Sequence, residues 1–134
     1  MTLTYESYTP FRSLRRYLER RFQKTPTKLM TTLGRTIGTT WQGIQGTEVA
    51  AGTVAEVRGT LYDQSYNALA SKAIKIYHKV DTGAYSLLTT LYTDNYGNFV
   101  LYYPLPQGAH TFYCEFAGDA QYEGCYCESE GYAR

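Results

Sequence analysis

Histidine, cysteine and tryptophan are scarce in this chain of 134 residues: two, three and one respectively. Each scarcity narrows the chemistry. His78 and His110 both fall at core-facing parity in expected strands, so ordinary packing is the plain reading of both. A zinc site drawn from His78, His110 and Cys114 would fall short of the roughly four ligands that ion prefers. No nucleophile–base pair, phosphate-binding glycine loop or dinucleotide fingerprint occurs. Asp94, Asn95 and Asn98 have the composition of a calcium loop without its spacing of oxygens, and a β-turn accounts for them. The chain is therefore expected to be non-enzymatic and to need no metal or cofactor. Long apolar runs are missing as well. None approaches the roughly 20 residues of a membrane span. Residues 1–25 are polar and then basic, without the apolar stretch of about 7–15 residues that a secretory signal requires. The expected location is inside a cell, or on a virion or cell surface as part of something assembled within one.

What is abundant is tyrosine, fifteen against five phenylalanines. Tyrosine suits strands and surfaces that are half apolar and half wet. Charge is unevenly spread. Residues 1–46 hold eight basic side chains and two acids, hence +6, while residues 47–134 hold five basic side chains and ten acids, hence −5. Opposed fields of this kind suit head-to-tail attraction between copies, or an anionic partner for the first part.

Two regions follow from the pattern. In the first, residues 1–52, Thr9-Pro10 reads as a helix start and Thr25-Pro26 as a stop. The helix expected over about 10–24 places Phe11, Leu14, Leu18 and Phe22 on one narrow face. Arg12, Arg16, Arg20 and Lys24 line another at spacing four. A second, weaker helix is expected over about 26–37, with Leu29, Leu33 and Ile37 at spacing four. Residues 38–53, rich in Gly and Thr, read as a linker with Trp41 as an anchor. In the second region, residues 53–134, the period changes to two. Strands are expected over Val54–Leu61, Lys72–Val80, Tyr85–Thr93, Asn98–Tyr103, His110–Phe116 and about 121–128, separated by Asp, Gly and Pro turns. Short strands at this spacing argue for a β-sandwich or barrel.

Several motifs in this second region occur in a telling order: Gly59-Thr60-Leu61-Tyr62-Asp63, Asn67-Ala68-Leu69-Ala70, Ile74-Lys75-Ile76-Tyr77, Thr93-Asp94-Asn95-Tyr96-Gly97-Asn98-Phe99 and Pro104-Leu105-Pro106-Gln107-Gly108. They close with Phe116-Ala117-Gly118-Asp119-Ala120-Gln121-Tyr122-Glu123-Gly124. Over about residues 53–125 the chain resembles the bacterial immunoglobulin-like repeat family. The resemblance implies a mainly β protein, an immunoglobulin-like Greek-key β-sandwich, here carrying an N-terminal amphipathic helical arm. Such modules occur in surface proteins, adhesins and virion appendages, mostly in tandem. A single copy fused to a basic arm departs from that habit and favours a small subunit that repeats by assembly. The Cys…Trp…Cys core of antibody domains is absent.

The candidate functional residues are accordingly those of contact. Phe11, Leu14, Leu18, Phe22 and Trp41 are expected to anchor assembly with copies of the chain or other structural subunits. Arg12, Arg16, Arg20 and Lys24 would meet an anionic partner: an acidic protein surface, nucleic acid or, with the apolar stripe dipping in, a membrane surface. Tyr77, Tyr102 and Tyr113 fall on expected outer faces, where they could pack against a partner or stack on a glycan. An adhesive reading would add the loops Asp63–Asn67 and Asp94–Asn98. Cys114, Cys125 and Cys127 leave three readings open: a Cys114–Cys125 bridge if a bulge brings the two opposite, a bond from Cys125 or Cys127 to a neighbouring subunit, or three free thiols. The expected function is that of a structural subunit of a larger assembly. An adhesive module and a nucleic-acid-associated protein are the alternatives.

Overall fold

A computed structural model describes residues 24–134. Nine strands form two sheets: β1 (Thr27–Ile37), β2 (Thr40–Gly43), β3 (Glu48–Val49), β4 (Val54–Asp63), β5 (Ala73–Val80), β6 (Ser86–Tyr92), β7 (Asn98–Pro104), β8 (Gly108–Phe116) and β9 (Cys125–Ala133). One sheet runs β2-β1-β4-β7 and the other β3-β9-β8-β5-β6. All neighbours are antiparallel except β3, which lies parallel to β9. The protein is mainly β, a two-sheet sandwich.

The alternation of large apolar residues explains the middle of the chain. Ile74, Ile76 and His78 of β5 and Phe112, Cys114 and Phe116 of β8 are buried, as are Val57 and Leu61 of β4 and Phe99 of β7. These residues face one another between the sheets, as period-two patterning requires. Val80, expected on the same inner face as Ile74, lies at the end of β5 and is exposed.

The first part of the described chain differs from expectation. The helix expected over 10–24, with Phe11, Leu14, Leu18, Phe22, Arg12, Arg16 and Arg20, lies outside the described residues except for Lys24, which is exposed. The second helix, expected over 26–37, is instead β1. It pairs with β4 from Thr27 opposite Asp63 to Gly34 opposite Glu56. A spacing of four is even, so Leu29 and Leu33 share a face in a strand as well as in a helix. The residue between them, Thr31, also points inward. Being polar, it masks the period of two, while the four β-branched threonines of this segment favour extended backbone. Ile37, expected to continue the apolar stripe, is exposed. The expected linker 38–53 is likewise part of the sheets. Gly38, at φ 63°, turns β1 into β2, and β3 seats Val49 against the core. The sandwich thus begins at Thr27, ahead of the boundary expected at residue 53.

The last strand starts later than expected and runs to Ala133. Its inward residues from Ser129 onward are small, because Leu33 of the facing sheet fills the space. A Cβ on Gly131 would collide with the Leu33 side chain.

Candidate interaction surfaces

The outer face of the five-stranded sheet carries a cluster of four tyrosines. Tyr77 of β5 sits opposite Tyr113 of β8, and their rings meet edge to face with centroids 5.9 Å apart. Tyr126 of β9 stacks on Tyr113 at 5.1 Å and 18°. Tyr85, just ahead of β6, closes the cluster 5.7 Å from Tyr113 and donates its hydroxyl to Glu128 Oε2 at 2.7 Å. Lys79 lies over the Tyr85 ring at 4.8 Å. Burial, together with the bond to Glu128, pushes the Tyr85 phenol up to about 12, and burial raises Tyr113 as well. Tyr126 is the most exposed member of the cluster at 63%. Tyr77 and Tyr113 are brought together as expected residues of this surface. Tyr102 is not: it lies on β7, on the outer face of the other sheet. Tyr85 and Tyr126 were not singled out by sequence. Parity would have put Tyr126 outward once β9 was registered against β8.

On the four-stranded sheet Trp41 lies flat across Gly34, whose hydrogen leaves room that a Cβ would take. Arg58 covers the ring at 5.1 Å and bonds Glu56 Oε1 at 2.7 Å, while Thr36 donates to the other carboxylate oxygen. The Thr36 bond, ahead of Arg58, holds the Glu56 carboxyl below its usual range. Trp41 is thus an anchor within its own sheet. Beside it, Met30, Thr32, Arg58, Thr60, Asn98 and Val100 line an open depression of about 630 Å³.

Between the sheets the two histidines form one chain. His110 Nε2 lies 2.7 Å from the Pro106 carbonyl, which can only accept. That places the proton of neutral His110 on Nε2, and its Nδ1 accepts from His78 Nε2 at 2.8 Å. Phe112 and Tyr103 enclose the pair. Burial first, and the neighbouring His110 second, lower the His78 pKa.

The three cysteines are free thiols. Cys114 stands opposite Cys127, whereas Cys125 stands opposite Phe116, two residues out of register for a bridge to Cys114. Burial pushes the Cys114 thiol up to about 12 and raises Cys125, so neither favours the reactive thiolate. Thr31 Oγ1 donates to Cys127 Sγ at 3.1 Å.

At one end of the sandwich three loops are each held by an aspartate. Asp63 Oδ1 accepts from the amides of Ser65 and Asn67, Asp94 Oδ1 from Tyr96 and Asn98, and Asp119 Oδ1 from Gln121 and Tyr122. Asp119 also pairs with Lys72 at 2.7 Å, the main cause of a pKa of about 2. These carboxylates serve their own loops.

No family model and no curated protein matches the chain. Among solved structures it is similar to a beta-glucosidase from Listeria innocua in complex with glucose, at 14% identity and a TM-score of 0.40. The match covers 82% of this chain and spans 17% of the length of that one.

Proposed function

We propose that this protein is a non-enzymatic structural subunit of a larger assembly, a virion component or surface filament. In this reading the sandwich is of the immunoglobulin-like Greek-key type, as the resemblance of residues 53–125 implies, and its outer faces contact neighbours. The observation that carries the reading is the tyrosine cluster of Tyr77, Tyr85, Tyr113 and Tyr126. Aromatic side chains with two rotatable angles give large contact area at low entropic cost. Here they are pre-ordered against one another, so little more ordering is needed on contact. The cluster favours a protein partner over a sugar. Stacking on a sugar needs open ring faces, and Tyr113 and Tyr126 each spend one face on the other while Lys79 covers Tyr85, so only the outer face of Tyr126 stays open. The sequence's basic residues 1–46 and acidic remainder supply complementary fields for the same purpose.

The test is the solution mass of the full chain by light scattering, compared with Tyr126→Ser and Tyr77→Ser. A defined oligomer or filament that is weakened by either substitution supports the reading. A parent chain that stays monomeric over micromolar to millimolar concentration, alone and with extracts of its source, counts against it. An adhesive role draws on the exposed half of Tyr126, and a glycan array whose hits vanish in Tyr126→Ser would favour it instead.

A further inference from the structure

Strand β6 ends its sheet, and among the described residues no strand pairs with its outer side. It lies beside β7, the last strand of the other sheet, so the two edges form one flank of the sandwich. That flank is almost free of charge. From Thr82 to Thr93 and from Asn95 to Cys114 there is no Asp, Glu, Lys or Arg, and only Asp94 interrupts the two runs. Leu87 and Tyr92 are 54% and 67% exposed on the outer face of the five-stranded sheet, and Val100 and Tyr102 are exposed on that of the four-stranded sheet. Leu88, Leu91, Leu101 and Tyr103 reach the core but are only partly covered.

Edge strands are usually blunted by lysine, proline, an inward charge or extreme shortness. Strand β7 has Pro104 at its end. Strand β6 has seven residues and neither lysine nor proline; its one irregularity is a bulge opposite Ile76 and Tyr77, at its beginning. From Thr89 to Tyr92 it is regular. Thr90 and Tyr92 point outward and Thr89 and Leu91 inward, as their partners Lys75, Ala73, Ile76 and Ile74 dictate.

We propose that the β6 edge pairs, antiparallel, with the β6 edge of a second copy of this chain, joining two five-stranded sheets into one. The inference builds on the assembly reading above and names one of its contacts. A two-fold axis at Thr90 sets Thr89 of each copy opposite Leu91 of the other on the inner side. It also sets the two Thr90 side chains face to face on the outer side. Both edges are neutral, so the pairing meets no like charge. A second copy suits this edge better than residues 1–23 do. Those carry five arginines and two glutamates, and the flank offers them Asp94 alone.

Thr90 is exposed, so Thr90→Lys and Thr90→Glu are tolerated by the fold but place like charges across the axis. The full-length parent is expected to run at twice the monomer mass or more, each variant to fall at least twofold in mass, and an equal mixture of the two to recover it. Hydrogen exchange of the full chain reports on the edge itself. The outward amides of β6 should be protected in the parent, more so at higher protein concentration, and unprotected in Thr90→Lys. Protection independent of concentration would mean that the chain covers its own edge, and absent protection that nothing does; either overturns the proposal. Unchanged mass in Thr90→Lys overturns it too while leaving assembly through the tyrosine face standing, since that route is lost in Tyr126→Ser. A monomeric parent sinks both.

Discussion

Along the flank where β1 faces β9, the two sheets are tied by hydroxyls and main chain. Thr31 reaches Cys127 at 3.1 Å and Ser129 at 2.9 Å, Thr27 donates to the Glu123 carbonyl, and Thr25 exchanges backbone bonds with Gln121 and Glu123. The strands that end the sheets there, β2 and β3, have four and two residues. Along the opposite flank, where β6 lies beside β7, there are seven-residue edges, exposed leucine and tyrosine, and hardly a charge. The first arrangement leaves little unpaired backbone to offer a neighbour. Among the described residues the second leaves a full edge, and in a natural protein such an edge asks for a partner. The difference teaches that polar ties define one flank of this sandwich and apolar contact defines the other.

That contrast can be broken most forcefully at Leu33, buried against Gly131 on the tied flank. Leu33→Ala should cost about 2–5 kcal/mol, read as a lower denaturant midpoint. A loss under about 1 kcal/mol would mean that the flank is packed more loosely than its geometry implies. Next is Thr31→Val, which keeps shape but removes the hydroxyl and leaves the buried Ser129 without its partner. A loss of about 1–3 kcal/mol is expected in the same measurement.

The histidine chain gives the next effect. A folded pKa lowered below the ordinary 6.5 means that the unfolded chain binds more protons just beneath that pH. The stability it contributes is full above 6.5 and is lost as pH falls through the depressed folded value. Asp119 adds a second loss at more acid pH, beginning below its ordinary 3.8 and ending near about 2. Unfolding midpoints followed from about pH 7.5 to 5 should fall in the parent and stay flatter in His78→Gln. Equal slopes would show that the pair is not the titrating element. Smallest of all, Leu91→Ala on the apolar flank should cost the isolated monomer about 1 kcal/mol, since its side chain packs at the margin of the core and is only partly covered. A cost matching that of Leu33 would erase the comparison.

The sequence made β5 and β8 the most legible strands because large side chains alternate there without interruption. It did not reveal β1, where inward Thr31 hides the alternation, nor the far half of β9, where Ser129, Gly131 and Ala133 make room for Leu33 and so carry no apolar signal. The tyrosines show the same limit. Parity sent Tyr77, Tyr102 and Tyr113 outward, but which sheet each belongs to depends on long-range pairing, and that separates Tyr102 from the other two. Which cysteine stands opposite Cys114 was left open by the sequence because the length of the turn before β9 sets the register, and Asp119 shapes that turn by holding Gln121 and Tyr122 in a loop. That both histidines face inward was readable from parity. That they bond to each other follows from the pairing of His78 with Phe112 and of Val80 with His110, which only the folded sheet provides.

The three aspartate-held loops bear on how such a chain can change over time. Each carboxylate fixes the path of its loop from the base, through amides that every residue but proline possesses. At the tips, side chains such as that of Tyr96 are exposed and contribute little to that path. Tips built this way can drift in sequence while the frame beneath them stays still, so one end of the sandwich is free to diversify at little cost to folding.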